Sequence, residues 1–168
     1  MLDLTLPSPV ENLALDEALL DEMEEQGGDP LLRFWESDRC FVVLGRSSRA
    51  GDDVHADVCG RDGVAILRRI SGGGTILQGP GCLSYAVVTR QDLHPDLENI
   101  RATYRFILDR IASALRRWEP DTLFCGISDL TVGERKISGN AQRRTRRALL
   151  FHGTILHAMA DELIAPYL

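Results

Sequence analysis

The 168-residue chain has the 44% hydrophobic and 26% charged content of an ordinary globular domain with a full core, and its 19 Lys+Arg against 25 Asp+Glu leave a net charge of −6. That balance argues against a general nucleic-acid binder. Four separated cysteines (Cys40, Cys59, Cys82, Cys125) signal neither a zinc site nor a disulfide framework, and no apolar run approaches the ~18 residues of a membrane span. With reduced thiols as the default and no signal-like N-terminus, the expected location is the cytoplasm, with no membrane and no nucleic acid as partner.

Taken in order, Ser8-Pro9-Val10-Glu11 reads as a capping box that opens a helix, which Gly27-Gly28 stops. Leu15, Ala18, Leu19, Leu20 and Met23 form its apolar face, with Asp16 and the other acids turned away. Leu31 to Trp35 and Cys40 to Leu44 read as strands joined by a loop of hairpin length, and one short helix is expected between Arg46 and Gly63. Val64 to Arg69 is a strand that runs into Gly72-Gly73-Gly74, and Gln78 to Gly81 turns the chain into the strand Leu83 to Val88. Asp96 to Trp118 carries the strongest helical stripe, through Ile100, Tyr104, Ile107, Ile111, Leu115 and Trp118. Leu123 to Cys125, Leu130 to Val132, the stretch from Lys136, Ala148 to Leu150 and Gly153 to His157 are extended, and Asp161 to Leu168 resembles the start of a helix.

Two stretches carry chemistry. Arg68 and Arg69 abut the triple glycine, where close-approaching backbone N–H groups and a guanidinium fork suit phosphate oxygens; the alternative is a tight hairpin tip. The spacing is neither a Walker loop nor a dinucleotide fingerprint. Lys136 follows a strand and a turn at Gly133 and precedes Ser138, Gly139 and Asn140, so an ammonium there meets an anionic ligand or is a solvated hairpin lysine. Arg143, Arg144, Arg146 and Arg147 form a basic cluster in an acidic chain: a solvated loop, or a docking site for an acidic partner.

Arg68-Arg69-x-Ser71-Gly72-Gly73-Gly74-Thr75 with Gly79-Pro80-Gly81 and Tyr85, then Gly133-x-Arg135-Lys136-x-Ser138-Gly139-x-Ala141-Gln142, then His152-Gly153-Thr154, resembles the lipoate-protein ligase A family. Each motif alone is weak; three in register across nearly the whole chain are strong. The resemblance implies an α+β fold: a mixed, largely antiparallel sheet with a smaller second sheet and flanking helices, as in biotin and lipoate ligases and class II aminoacyl-tRNA synthetases. It implies that residues 1–168 are a catalytic domain lacking its C-terminal part, so that an accessory domain or subunit is expected. The implied reaction joins lipoate and ATP into lipoyl-adenylate and passes the acyl group to a lysine of a lipoyl carrier domain, which would dock on the arginine cluster. Lys136 would be the catalytic lysine, an electrostatic clamp. Arg69, Ser71, Gly72, Gly73, Gly74 and Thr75, with Ser138, Gly139, Asn140 and Ala141, would bind substrate and adenylate, and Asp129 would hold Mg²⁺.

Gln142 is expected beside Asn140 in that pocket, and Val42, Leu44, Leu67 and Ile76 serve either as its acyl tunnel or as core. The chain departs from the family pattern at Gln78, where relatives often carry His. A rival on the same fold is an octanoyl- or lipoyl-transferase that uses a cysteine thioester at Cys125 and no ATP, for which the structural alternative is a small buried apolar residue. A non-catalytic acid-binding module is the second rival. Biotin is disfavoured, because biotin ligases carry a different glycine-arginine loop.

Overall fold

The computed structural model describes residues 1–168, the side chain of Asp161 excepted. In chain order the elements are β1 (Leu2–Asp3), α1 (Pro9–Gln26), β2 (Leu31–Trp35), β3 (Phe41–Leu44), α2 (Ala50–Asp53), α3 (Ala56–Asp62), β4 (Ala65–Arg68), β5 (Ile76–Gln78), β6 (Cys82–Arg90), α4 (Ile100–Leu115), β7 (Thr122–Cys125), β8 (Asp129–Val132), β9 (Arg135–Arg144) and β10 (Ala148–Leu156). Seven strands form one sheet in the order β1-β2-β6-β10-β9-β8-β7, antiparallel except where β1 meets β2. Three form a second sheet, β4-β3-β5. The expected α+β class, with a large mostly antiparallel sheet and a small mixed one, is the fold found.

Alternation along the central strand divides the core. Ala148 and Leu150 of β10 face α1 with Ala86, Val88, Leu20 and Met23, while Leu149 and Phe151 face α4 with Ile107, Leu108 and Ala112. A strand covered on both sides is apolar at every position, which is why Ala148 to Phe151 shows no alternation of its own. Ser8 caps α1 through the reciprocal capping box with Glu11, as its sequence requires.

Several expectations fail for physical reasons. The strands Leu31 to Trp35 and Cys40 to Leu44 do not form a hairpin: β2 pairs with β6, and β3 lies between β4 and β5. All four residues of β3 are buried at the centre of the small sheet, Val42 and Leu44 packing on one face with Cys59 and Leu77, and Phe41 and Val43 on the other with Trp35. The triple glycine is not a hairpin tip either, because β4 and β5 flank β3 and the chain from Arg69 to Thr75 must cross over its end. Residues Ile76 to Gln78 are a strand that the turn signals concealed.

Two short helices, α2 and α3, replace the single one expected. The long helix starts at Ile100 because the Asn99 side chain accepts from the N–H groups of Arg101 and Ala102, and it ends at Leu115, leaving Ile100 and Trp118 exposed. Residues after Met159 make a 3₁₀ turn, Asp161–Leu163, in place of a helix. No helix among the described residues is long and apolar enough to cross a membrane.

Asp16 was expected to face water with the other acids of α1, and it points inward. Arg33 on β2 is fully buried; its Nη1 donates to Asp16 Oδ1 at 2.6 Å and to the Asn12 carbonyl at 2.9 Å, and its Nη2 donates to Asn12 Oδ1 at 2.5 Å and to the Leu4 carbonyl at 3.0 Å. A buried guanidinium requires a carboxylate, and this requirement overrides the hydropathy of position 16. Ala18, counted on the apolar face, is exposed instead. Asp16→Ala, which strands the Arg33 charge, is expected to lower unfolding free energy by about 3–5 kcal/mol in urea titration. A loss under about 1 kcal/mol would show the pair to behave as a surface ion pair.

Candidate functional site

The strand register lines up Arg33, Ala86, His152 and Ala141 across β2, β6, β10 and β9, and one step along it Trp35, Ser84 and Thr154. These side chains share the sheet face that α1 covers. At the N-terminal end of α1 the small sheet and the 69–75 crossover close over that face. Beneath them is a cavity of about 210 Å³, with Leu13, Asp16, Trp35, Val43, Ile76, Gln78 and Ser84 on one side and Ser128, Asp129, Lys136, Gly139 and Asn140 on another.

The crossover is braced from within. Arg69 Nε donates to Ser71 Oγ at 3.1 Å and to the Gly72 carbonyl at 3.2 Å, Nη2 donates to the carbonyls of Gly72 at 2.7 Å and Gly74 at 2.8 Å, and Nη1 donates to that of Val43 at 3.3 Å. Burial pushes the Arg69 pKa down, against a smaller raising influence of Tyr104. Arg68 likewise donates to the carbonyls of Gly45, Arg46 and Ser48. Both guanidinium groups therefore hold main-chain oxygens.

Gly73, at φ 92°, and Gly45 are glycines by necessity: a Cβ on Gly45 would stand 2.0 Å from the Gly73 carbonyl oxygen. Ser71 is buried behind the loop, and its Oγ shares a 2.5 Å hydrogen bond with His152 Nε2, whose Nδ1 lies 3.9 Å from Asp16 Oδ2. Since Arg69 donates to Ser71, the hydroxyl proton is free to point at His152.

On the other wall, β8 and β9 form the expected hairpin, but their register shifts between Leu130 and Thr131 so that Ile137 is bulged out. The bulge re-aims Lys136. Its Nζ reaches Asp129 Oδ2 at 2.9 Å and lies close over Gly139, with the side chain 56% exposed. Asn140 accepts from the Tyr85 hydroxyl and donates to the Ser128 carbonyl at 2.7 Å and to Ser138 Oγ at 3.0 Å. Burial raises the Tyr85 phenol pKa well above its ordinary value, despite the opposing Ser138 hydroxyl.

Of the residues singled out in the sequence, Arg69, Gly73, Gly74, Thr75, Asp129, Lys136, Gly139, Asn140 and Ala141 line the one cavity. Ser71 and Ser138 stand behind it, both buried, and Gly72 contributes its carbonyl to Arg69. Cys125 is exposed and lies outside the lining, not buried as its structural alternative required. Gln142 also lies outside, donating to the Ile100 carbonyl at 3.0 Å. Val42 and Leu44 pack on the far side of the small sheet with Cys59 and Leu77, and Leu67 packs with Trp35, Phe41 and Val43, so of the four tunnel candidates Ile76 alone lines the cavity.

Among the described residues no group of three or more His, Cys, Asp or Glu is placed to hold a metal ion. Asp129 offers one carboxylate. Of the arginine cluster, Arg144 is turned inward to the carbonyl of Leu97 and the amide of Gln91, and Arg147 donates to the carbonyl of Glu24. Sequence reasoning missed Asp16, Trp35 and Ser84 as site residues, because their neighbours in the fold lie far off in the chain, and it met Gln78, which lines the cavity, only as a departure from the family pattern.

A model of the lipoyl protein ligase A/B catalytic domain matches residues 8–168. Lipoate-protein ligase A subunit 1 of Thermoplasma acidophilum is 30% identical over 165 residues, covering 92% of this chain and 61% of that protein. The octanoyltransferase LipM of Moorella thermoacetica is 29% identical over 185 residues, covering 98% and 67%. Among solved structures, the bi-partite lipoate protein ligase of T. acidophilum, studied with its E2 lipoyl domain, matches with a TM-score of 0.88 at 27% identity over 99% of this chain and 64% of that one. A lipoate-protein ligase A bound with ATP gives 0.84 at 26% identity, over 99% and 70%. The chain spans about half to two thirds of the length of the curated relatives it matches.

A Cβ on Gly153 would fall 1.8 Å from Asn140 Oδ1, whereas one on Gly72 would meet nothing within 4 Å. Gly153→Ala is expected to break the Tyr85–Asn140 bond and cost about 1–3 kcal/mol in denaturant titration. Gly72→Ala is expected to stay within about 0.5 kcal/mol; equal effects would show that the crowding at Gly153 relaxes.

Proposed function

Because the chain belongs to the lipoyl protein ligase A/B catalytic-domain family, we propose that it is the catalytic domain of a lipoate-protein ligase. It activates lipoate with ATP to lipoyl-adenylate and transfers the acyl group to a lysine of a lipoyl carrier domain. One observation carries the reading: the Lys136 ammonium and the glycine crossover line the same cavity, although 62 residues separate Gly74 from Lys136.

In the first half-reaction the carboxylate oxygen attacks the α-phosphorus, the bond to the bridging oxygen breaks, and pyrophosphate leaves with the electron pair. In the second, the carrier amine attacks the acyl carbon, the bond from that carbon to the AMP oxygen breaks, AMP leaves with the electron pair, and the amine's proton passes to water. Both steps gather negative charge on oxygens near one point, and a fixed ammonium stabilises them without reorganising. Lys136 is suited to that task as a charge. Asp129 holds the ammonium across Gly139, and glycines at 72–74 let main-chain N–H groups approach the phosphate.

Arg69 acts indirectly in this reading, by fixing the loop. Asp129 would be the residue that holds a Mg²⁺ ion, since Mg²⁺ in phosphate-transfer sites is held by as few as one carboxylate. The ion would supply charge neutralisation there. For the carrier, Arg143 and Arg146 remain the candidate docking cations, because Arg144 and Arg147 are committed within the fold. Four free cysteines suit a reducing, cytoplasmic setting.

The transferase reading draws support from the LipM relatives. Against it, none of the four cysteines lines the cavity, and burial pushes the Cys82 thiol up to about 11. Pyrophosphate release from ATP and lipoate, and transfer from pre-formed lipoyl-adenylate, separate the two half-reactions. Lys136→Ala is expected to slow both by about 10²–10³-fold, while Cys125→Ser stays within about twofold. ATP-independent transfer from an octanoyl carrier that is abolished by Cys125→Ser would overturn the ligase.

A further inference from the structure

A second depression, of about 300 Å³, lies between α1 and the glycine crossover. Leu20 and Ile70 give it apolar surface, and Arg69 lines both this groove and the cavity of the candidate site, so the two are neighbours across the crossover. Four charges around the groove are uncommitted. Arg68 and Arg69 are engaged by main-chain carbonyls, whereas the side chains of Arg46, exposed, and Arg143, half-buried, make no hydrogen bond or ion pair among the described residues. The same holds of Glu17 and Asp21, both exposed on α1.

Both cations sit on fixed backbone. The Arg46 N–H donates to the Ser71 carbonyl at 2.8 Å, and Arg143 pairs with Leu150 across β9 and β10. Arg146 lines a different depression, with Gly27, Arg90 and Glu98 at the C-terminal end of α1. The arginine cluster is therefore split between two surfaces, and of its two uncommitted members Arg143 is the one beside the crossover.

We propose that the groove between α1 and the crossover docks the lipoyl carrier domain, with Arg46 and Arg143 receiving an acidic side chain that neighbours the acceptor lysine. The inference rests on the ligase reading above and names the surface by which that reaction meets its protein substrate. A partner that delivers an amine to the cavity presents a lysine, and a wholly basic surface would repel that ammonium. A groove of both signs suits an acid and a lysine side by side: guanidinium groups match the carboxylate, while Glu17 and Asp21 lower the positive potential that the lysine meets. A lysine flanked by further bases would meet Arg46 and Arg143 as like charges, which discriminates against other proteins.

The experiment follows transfer from pre-formed lipoyl-adenylate to the E2 lipoyl domain of T. acidophilum, with pyrophosphate release from ATP and lipoate as the readout that needs no carrier. In the double variant Arg46→Glu, Arg143→Glu, the KM for the lipoyl domain is expected to rise about tenfold or more while pyrophosphate release stays within about twofold. Arg146→Glu should leave both within about twofold. The wild-type KM should rise with added salt, and that of the double variant should not. Should charge reversal lower pyrophosphate release, Arg46→Ala with Arg143→Ala is expected to raise the KM with release kept.

An unchanged KM in the double variants would overturn the docking groove and leave the ligase standing. A rise in Arg146→Glu as large as in the double variant would overturn it too, since net charge and not this surface would then be read. So would a wild-type chain that releases pyrophosphate but transfers nothing to the lipoyl domain. Absence of both pyrophosphate release and transfer in the wild-type chain would remove the ligase reading together with it.

Discussion

The buried Arg33 guanidinium is the constraint from which the site follows. It sits on β2 beneath α1, and the groups that neutralise and cap it come from three places: the carboxylate of Asp16, the amide and carbonyl of Asn12, and the Leu4 carbonyl after β1. Such a pair contributes little net stability against a hydrophobic replacement, yet it tolerates one register, because any slip of α1 along the sheet leaves an unpaired charge in the core. The first turns of α1 are thereby pinned over the end of the sheet. From there the polar line continues through His152 and Ser71 to Arg69 and the carbonyls of the glycine crossover. The helix faces the central strand through the 3.9 Å approach of Asp16 to His152, and the central strand is tied to the loop by the His152–Ser71 hydrogen bond, at the place where the cavity interrupts the apolar packing.

Charge is distributed unevenly around that cavity. The wall made by the crossover is rigid and inward-looking: its arginines face carbonyls, and close contacts at Gly45 and Gly73 exclude any side chain. The hairpin wall is open, and there an ammonium and a carboxylate meet at the surface, where solvent screens them and their partners exchange readily. A phosphate can compete for Lys136 at that rim far more easily than it could extract Arg69 from its four protein acceptors. The division assigns shape to the half-buried, fully hydrogen-bonded arginine and electrostatic work to the exposed lysine.

Local signals were legible where one element decides its own form. The capping box at Ser8 and Glu11, the stop at Gly27, the Gly133 turn and the stripe through Ile107 and Ile111 all appear as written in the chain. What could not be read depends on partners distant in sequence. Asp16 looks like one more acid of an exposed face until Arg33, seventeen residues on, is placed beneath it. The loop after Trp35 has hairpin length, and only the burial of β3 on both faces moves that strand to another sheet. Motif-bearing residues were found because glycine and lysine are conspicuous; Trp35 and Ser84 were not, because nothing in the chain announces that their strands β2 and β6 pair at the floor of the cavity.

The β8–β9 bulge shows how small a change decides the site. With regular pairing, Asp129↔Gly139 and Leu130↔Ser138 would continue to Thr131↔Ile137 and Val132↔Lys136, and side chains alternate faces at every step. One extra residue at Ile137 shifts the pairing to Thr131↔Lys136 and Val132↔Arg135, reversing which of the neighbouring side chains share a face beyond that point. Position 136 thus bears on the cavity through an irregularity that hydropathy does not encode, since Ile137 packs against the α4 core cluster while Lys136 before it is charged and Ser138 after it is polar. Apolar anchoring of the bulged residue and the ion pair to Asp129 act together: the first sets where the backbone turns, and the second sets where the ammonium ends.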